Sequence, residues 1–319
     1  MISKFINSKG EPNLFQQKVH IQTKSGKTAE INVVFQDTKP EGSPIGTLIA
    51  VHGAPGSHKD FKYLWPVLDE KGVRVIGVNW PGMGYTSYDE ALNDDNDERV
   101  QLVQHLVEEL GLKSNTVFMG HSRGSENALK MAALYKDHCS GCVLVNPITL
   151  RAHRGVQPYP LVCFLGWIWK TFTPLRFITN PFLHWFYHSI LGLRSVDGHA
   201  AGVSLHLMNN VDFGGQIKYI EQVNQSNVKV LNCSSGKDFL IQRSLNEEFG
   251  SKFKDAENLV CTSKDDDSEV DSQMKAAFAS GKTKVNVFFT PDGHFLQKTR
   301  AKFLADGVVL MLESNNNHK

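Results

Sequence analysis

The sequence predicts an α/β chain built on an eight-stranded, mostly parallel sheet covered by helices on both faces. Three observations carry that prediction. Short apolar runs such as Thr47–His52 and Gly141–Val145 are what a strand buried on both faces requires. These runs alternate with helical segments, as parallel strands joined by crossovers must. The alternation stops near Pro147 and resumes near Val228, so one insertion interrupts the sheet.

The elements follow in order. Residues 1–16 are polar and read as a peripheral N-terminal segment. Gln17–Gln22 and Glu30–Asp37 alternate in polarity around the turn-prone Ser25-Gly26-Lys27, the pattern of an antiparallel hairpin. Thr47–His52 and Arg74–Asn79 are strands flanking a helical stretch, His58–Lys71. Asp97–Leu112 is the clearest helix, because Val100, Val103, Leu106, Val107 and Leu110 share one face at 3.6-residue spacing. Strand Thr116–Gly120, helix Gly124–Lys136 and strand Gly141–Val145 come next. Val228–Asn232 and Val285–Thr290 supply the last two strands and Phe295–Glu313 the last helix. The core is therefore expected over residues 17–150 and 227–315, with residues 151–226 a helical lid inserted after the sixth strand.

Composition excludes several classes. The 319 residues are 41% hydrophobic and 21% charged, which rules out wholesale disorder. Thirty-four Lys plus Arg against 33 Asp plus Glu leave a net charge of +1, too balanced for a dedicated nucleic-acid binder. Five cysteines are too few, and odd in number, for a disulfide scaffold, so a reducing compartment is expected. Met1 to Lys18 has no apolar run of signal-peptide length, and no stretch reaches about 18 uncharged apolar residues. A cytoplasmic protein is the expectation.

The chemistry is signalled by Gly120-His121-Ser122-Arg123-Gly124, a Gly-x-Ser-x-Gly sequence. It lies between a strand and a helix, the context in which such a serine stands exposed at the apex of a strained turn. The turn crowds positions 120 and 124, so only very small side chains fit there. A serine hydroxyl needs a base, and the base needs an orienting carboxylate. Open parallel sheets gather such groups past the C-terminal ends of their strands. Asp238 follows Val228–Asn232, and His294 follows Val285–Thr290, giving the chain order Ser122, Asp238, His294. Asp292 is a rival carboxylate, though a local Asp–Gly–His turn is its plainer reading.

On these residues the chain resembles the α/β-hydrolase superfamily, over residues 47–150 and 228–315, and within it a branch best represented in nematodes. Two further segments carry the likeness: the small-residue loop His52-Gly53-Ala54-Pro55-Gly56 and the turn Asn79-Trp80-Pro81-Gly82-Met83-Gly84. The resemblance implies an α/β-hydrolase fold in which Ser122 attacks a carbonyl, His294 moves its proton and Asp238 fixes the imidazole tautomer. It also implies an oxyanion hole from the backbone N–H groups of Ala54 and Arg123. His52 and His121 flank backbone-defined turns and read as structural. Arg123 is a bulky cation after the nucleophile. Its side chain either meets an anionic substrate group or pairs with an internal acid. Epoxide hydrolases of the superfamily share the His-Gly-x-Pro loop but use a carboxylate nucleophile, so Ser122 counts against them.

Other patterns carry no site. Gly82-Met83-Gly84 lacks the third glycine of a dinucleotide fingerprint. Trp185 stands between His184 and His188 where a zinc protease needs glutamate, and Cys139 and Cys142 lack a second ligand pair. Asp265-Asp266-Asp267 reads as a solvated loop. Neither a cofactor nor a metal is expected.

The insertion is unusual. Ten of the 29 residues from Tyr159 to Tyr187 are aromatic, against 10% over the chain, and no Asp or Glu occurs from His138 to Val196. The aromatics form the lid's own core, line an apolar acyl pocket over Ser122, or meet a membrane surface with help from nearby Arg and Lys. Pocket candidates are Trp167, Trp169, Phe172, Phe182, Trp185 and Phe186. The expected function is a serine hydrolase acting on a small-molecule ester or lipid, with thioesters and amides open to the same groups. The rival is a catalytically silent binding protein of the same fold using the lid.

Overall fold

The computed structural model describes residues 1–112 and 114–316. Among them ten strands form one sheet. They are β1 (Ser3–Lys4), β2 (Leu14–Gln22), β3 (Thr28–Asp37), β4 (Thr47–Val51), β5 (Arg74–Val78), β6 (Thr116–His121), β7 (Gly141–Val145), β8 (Lys229–Ser235), β9 (Glu257–Cys261) and β10 (Lys284–Phe289). Their order is β1-β2-β3-β5-β4-β6-β7-β8-β10-β9. Strands β1 to β3 are antiparallel, β3 meets β5 antiparallel, and the rest of the sheet is parallel. Every residue of β4, β5, β6 and β7 is buried, as their unbroken apolar character requires.

The expected strand count of eight is corrected to ten. Strand β9 lies between the expected strands Val228–Asn232 and Val285–Thr290, where no strand is expected. It is an edge strand whose three apolar residues are consecutive and of which only Leu259 and Cys261 are buried, too short a run to announce a strand. Strand β1 pairs with β2, and Leu14 in β2 is fully buried. Within the segment read as peripheral, Ser3–Lys4 and residues 14–16 thus belong to the sheet edge.

The α-helices are α1 (Trp65–Glu70), α2 (Asn96–Glu109), α3 (Ser125–Leu134), α4 (Tyr159–Thr171), α5 (Arg176–Ser189), α6 (Gly198–Asn209), α7 (Gln216–Asn224), α8 (Arg243–Gly250), α9 (Ser268–Ala279), α10 (Leu296–Thr299) and α11 (Ala301–Asn316). Helices α2, α3 and α7 cover one face through residues such as Leu102, Leu129 and Ile220. Helices α1, α9 and α11 cover the other through Leu68, Met274 and Val308. The single helix expected over His58–Lys71 is a 3-10 turn, His58–Phe61, followed by α1, which opens with Pro66 in its first turn. The last helix is likewise divided, between α10 and α11 at Arg300.

In the insertion, α4 and α5 meet at 102° and both pack on α6. Trp169 locks this arrangement. Its indole covers Gly202, where a side chain would collide with the ring, and its Nε1–H donates to Asn180 Oδ1 at 2.8 Å. Arg176 stacks 4.1 Å from the same ring and pairs with Glu90 of the core. Helix α7 packs on α3, so residues 216–224 belong to the layer covering the sheet and not to the inserted helices.

Candidate active site

Strand β6 ends at His121, and Ser122 takes φ +50°, a left-handed conformation that strains any L-residue other than glycine. The crowding around it is direct. A methyl group on Gly120 would overlap the Gly124 carbonyl, and one on Gly124 the Val51 carbonyl. The Ser125 hydroxyl donates to the Ser122 carbonyl at 2.7 Å and fixes the start of α3. Ser122 is half-buried and lines a cavity of about 350 Å³ together with Ala54.

The loops after β8 and β10 bring Asp238 and His294 together. His294 Nδ1 lies 2.8 Å from Asp238 Oδ2. The other carboxylate oxygen accepts the N–H groups of Leu240 at 2.8 Å and Ile241 at 3.1 Å. Burial pushes the Asp238 pKa up, but the His294 bond and these amides outweigh it and hold it below the usual carboxylate value. Burial is the largest influence on His294. With help from the neighbouring His121, it keeps the ring below its ordinary pKa despite Asp238. Asp292 does not compete, because Arg300 Nε and Nη2 occupy its Oδ2 at 3.0 and 2.7 Å.

Two residues not anticipated in these roles position His294. Its carbonyl lies 3.0 Å from His121 Nε2 and accepts Asn146 Nδ2–H at 2.9 Å. Asn146 Oδ1 in turn accepts the Ser235 hydroxyl at 2.9 Å. The His121 ring, on the residue preceding Ser122, lies 4.9 Å from that of His294, so the elbow and the histidine loop adjoin. The signal in the sequence was the placement of Asn146 directly after a strand.

His52 orders the small-residue loop. Its Nε2 accepts the Trp80 N–H at 3.1 Å, which leaves Nδ1–H to donate to the Gly53 carbonyl at 2.6 Å. Burial holds its pKa down to about 4, so the ring is neutral. Because the Gly53–Ala54 peptide is trans, the Ala54 N–H points opposite to that carbonyl. Among the described residues this N–H has no acceptor. A methyl group on Gly53 would sit 3.1 Å from Ser122 Cβ, so this loop runs directly beside the elbow. The Arg123 N–H lies in the first turn after the elbow, where backbone donors lack intrahelical acceptors.

The Arg123 side chain is fully buried and turned away from the cavity. It pairs with Glu126, and its Nη2 donates to the carbonyls of Leu207 at 3.4 Å and Asn210 at 3.1 Å. The internal acid is therefore its partner.

The cavity is apolar. Ile148, Leu161, Leu205, Met208 and Leu240 are among its walls. Of the six aromatic candidates, Phe182 and Phe186 line it. The other four do not. Trp169 is buried between α4 and α6, while Trp167, Phe172 and Trp185 face outward. Helices apolar on all sides give no periodicity from which those directions could be read.

Comparison with known proteins agrees with this architecture. The chain is similar to the uncharacterized protein F35H12.5 of Caenorhabditis elegans, at 28% identity over 93% of this chain and 87% of that one. Its fold matches an esterase from Exiguobacterium antarcticum with a TM-score of 0.59, at 17% identity over 93% of this chain and all of that one. A thermophilic esterase from Thermogutta terrifontis matches with a TM-score of 0.58, at 16% identity over 93% and 98% of the two chains. The model of one family spans residues 11–313, and the chain belongs to that family, described as alpha/beta hydrolase of unknown function (DUF1057).

Proposed function

We propose that the protein is a serine hydrolase that cleaves a carboxylic ester with an apolar acyl group, through an acyl-enzyme on Ser122. The observation that carries this reading is the buried His294–Asp238 pair, whose imidazole lies 4.9 Å from the ring of His121, the residue before a strained Ser122 that lines an apolar cavity. Neutral His294 takes the hydroxyl proton through Nε2 as Ser122 attacks the ester carbon. Asp238 holds Nδ1–H and stabilises the imidazolium that forms. The Ala54 and Arg123 N–H groups receive the oxyanion, each worth about 2.7–4 kcal/mol in the transition state. His294 then protonates the departing alcohol, and water resolves the acyl-enzyme by the same route. Among the described residues no hydrogen bond joins the Ser122 hydroxyl to His294. Contacts of this kind tighten when substrate binds. The inserted helices roof the cavity and act as a lid in this reading. The five free cysteines suit a cytoplasmic setting.

A fluorophosphonate probe tests the assignment, run beside p-nitrophenyl esters, thioesters and amides. Wild-type protein is expected to carry the adduct on Ser122 and to turn over esters, and Ser122→Ala to do neither while remaining folded. A folded wild type that takes no adduct would leave a silent binding protein as the answer.

A further inference from the structure

The outer side of the insertion is apolar and uncovered. Phe177 is 89% exposed, Ile178 69%, Phe164 54% and Trp185 53%. Exposed apolar area on this scale, contiguous along one helix pair, marks an interaction surface. Together α4 and α5 are as apolar as a membrane-spanning stretch, yet they are bent by 102°, and no single helix among the described residues is long and apolar enough to cross a membrane. Such a bent pair can lie against a bilayer without crossing it.

Three features select a lipid surface as the occupant. First, the patch is continuous with the cavity: Leu161, Leu165 and Phe182 line the cavity and are also exposed on the outer face. A chain leaving a bilayer would pass from one apolar environment into another. Second, the charge is one-sided. No Asp or Glu occurs from His138 to Val196, and exposed Arg154 and Arg194 have no carboxylate partner among the described residues. Third, the inner side is anchored. Lys170 and Arg176 pair with Glu90, His206 Nδ1 lies 2.7 Å from Asp94 Oδ2, and Arg123 holds the end of α6. The apolar side is thus held outward.

We propose that the outer face of α4 and α5 docks on a phospholipid surface and lets an acyl chain enter the Ser122 cavity from the bilayer. Aromatic rings insert at the headgroup level while Arg154 and Arg194 meet anionic lipid. The entry of substrate rests on the ester-hydrolase reading; the docking does not.

The test is flotation of the full chain with phosphatidylcholine vesicles, with and without phosphatidylserine. Wild type is expected to float with both, and more with the anionic vesicles. Phe177→Asp and, separately, Trp185→Ser are each expected to lower partitioning about tenfold or more, from the loss of one buried aromatic. Circular dichroism and thermal unfolding establish that these variants remain folded. Ser122→Ala is expected to float as wild type, which separates docking from turnover. Absence of wild-type flotation would overturn the proposal, as would folded variants that float unchanged. A stable dimer in sedimentation that both substitutions dissolve, with no flotation, would assign the face to a second copy of the chain.

Discussion

Arg123 Nη2 donates to the carbonyl of Asn210 at 3.1 Å, tying the residue after Ser122 to the end of α6. Glu126 completes the connection. It pairs with Arg123 and Arg99, and its Oε1 accepts the Asp212 N–H at 3.0 Å. All three charged side chains are buried. The Ser122 turn and the end of α6 therefore share one ionic knot, and the N–H of Arg123 cannot shift without disturbing the inserted helices.

Arg123→Ala removes one member of this knot and leaves Glu126 with the Arg99 guanidinium and the Asp212 N–H. Breaking a buried pair by deleting one partner costs about 3–5 kcal/mol. Urea unfolding should show a loss of that size. A change below about 1 kcal/mol, the range of exposed ion pairs, would refute the structural role.

Asp238→Asn tests the orienting carboxylate. Leu240 and Ile241 donate to Oδ1, so an amide oxygen is favoured there and the amide nitrogen is turned toward His294 Nδ1. That nitrogen donates and cannot accept, so the ring is forced into the tautomer that protonates Nε2 and cannot act as a base. In the proposed mechanism kcat should fall by about four orders of magnitude with stability largely retained. A fall of less than about tenfold would remove Asp238 from the mechanism.

The sequence was most legible where one local rule decides the outcome. The Gly120–Gly124 spacing needs only a crowded turn, and the positions of Asp238 and His294 follow from where strands end. What was not legible depends on tertiary partners. Glu126 lies three residues beyond Arg123, yet its alignment with Arg99 and Asp212 comes from three separate segments. Strand β9 exists because β10 offers it an edge. Trp169 turns inward because Gly202 leaves space across the helix interface, a pairing that composition cannot reveal.

The pH dependence of kcat/KM should carry the mark of His294. In the proposed mechanism the base must be neutral, so the rate falls as pH drops through its pKa. Burial places that pKa below the ordinary value of 6.5, and the acid limb should have its midpoint below 6.5. A midpoint at or above 6.5, with chemistry limiting, would remove His294 as the base.

Chain length should be read by the cavity walls. Each methylene buried contributes about 0.8 kcal/mol, so kcat/KM should rise roughly fourfold per added CH₂ until the cavity is filled. Leu205 on α6 is one of the walls. Leu205→Trp should shift the optimum toward shorter acyl groups in a p-nitrophenyl ester series. An unchanged optimum would place the acyl chain elsewhere.

Folding stability should decline in mild acid, and the sign follows from the buried histidines. His52 and His153 are pulled down from 6.5 to about 4, chiefly by burial. Between those pH values the unfolded chain binds their protons and the folded chain does not, so stability falls as pH drops from 6.5 toward 4. Each ring accounts for about 3 kcal/mol across that window. Glu98 acts in the opposite sense: burial pushes it up to about 7, so the folded state holds its proton and gains stability as pH falls from 7 toward 4.5. Two histidines against one carboxyl leave a net loss, which urea midpoints at a series of pH values would measure. His153→Leu should flatten the acid slope by removing one of the two protonation sites. A slope unaffected by that change would mean that His153 already binds its proton in the folded protein.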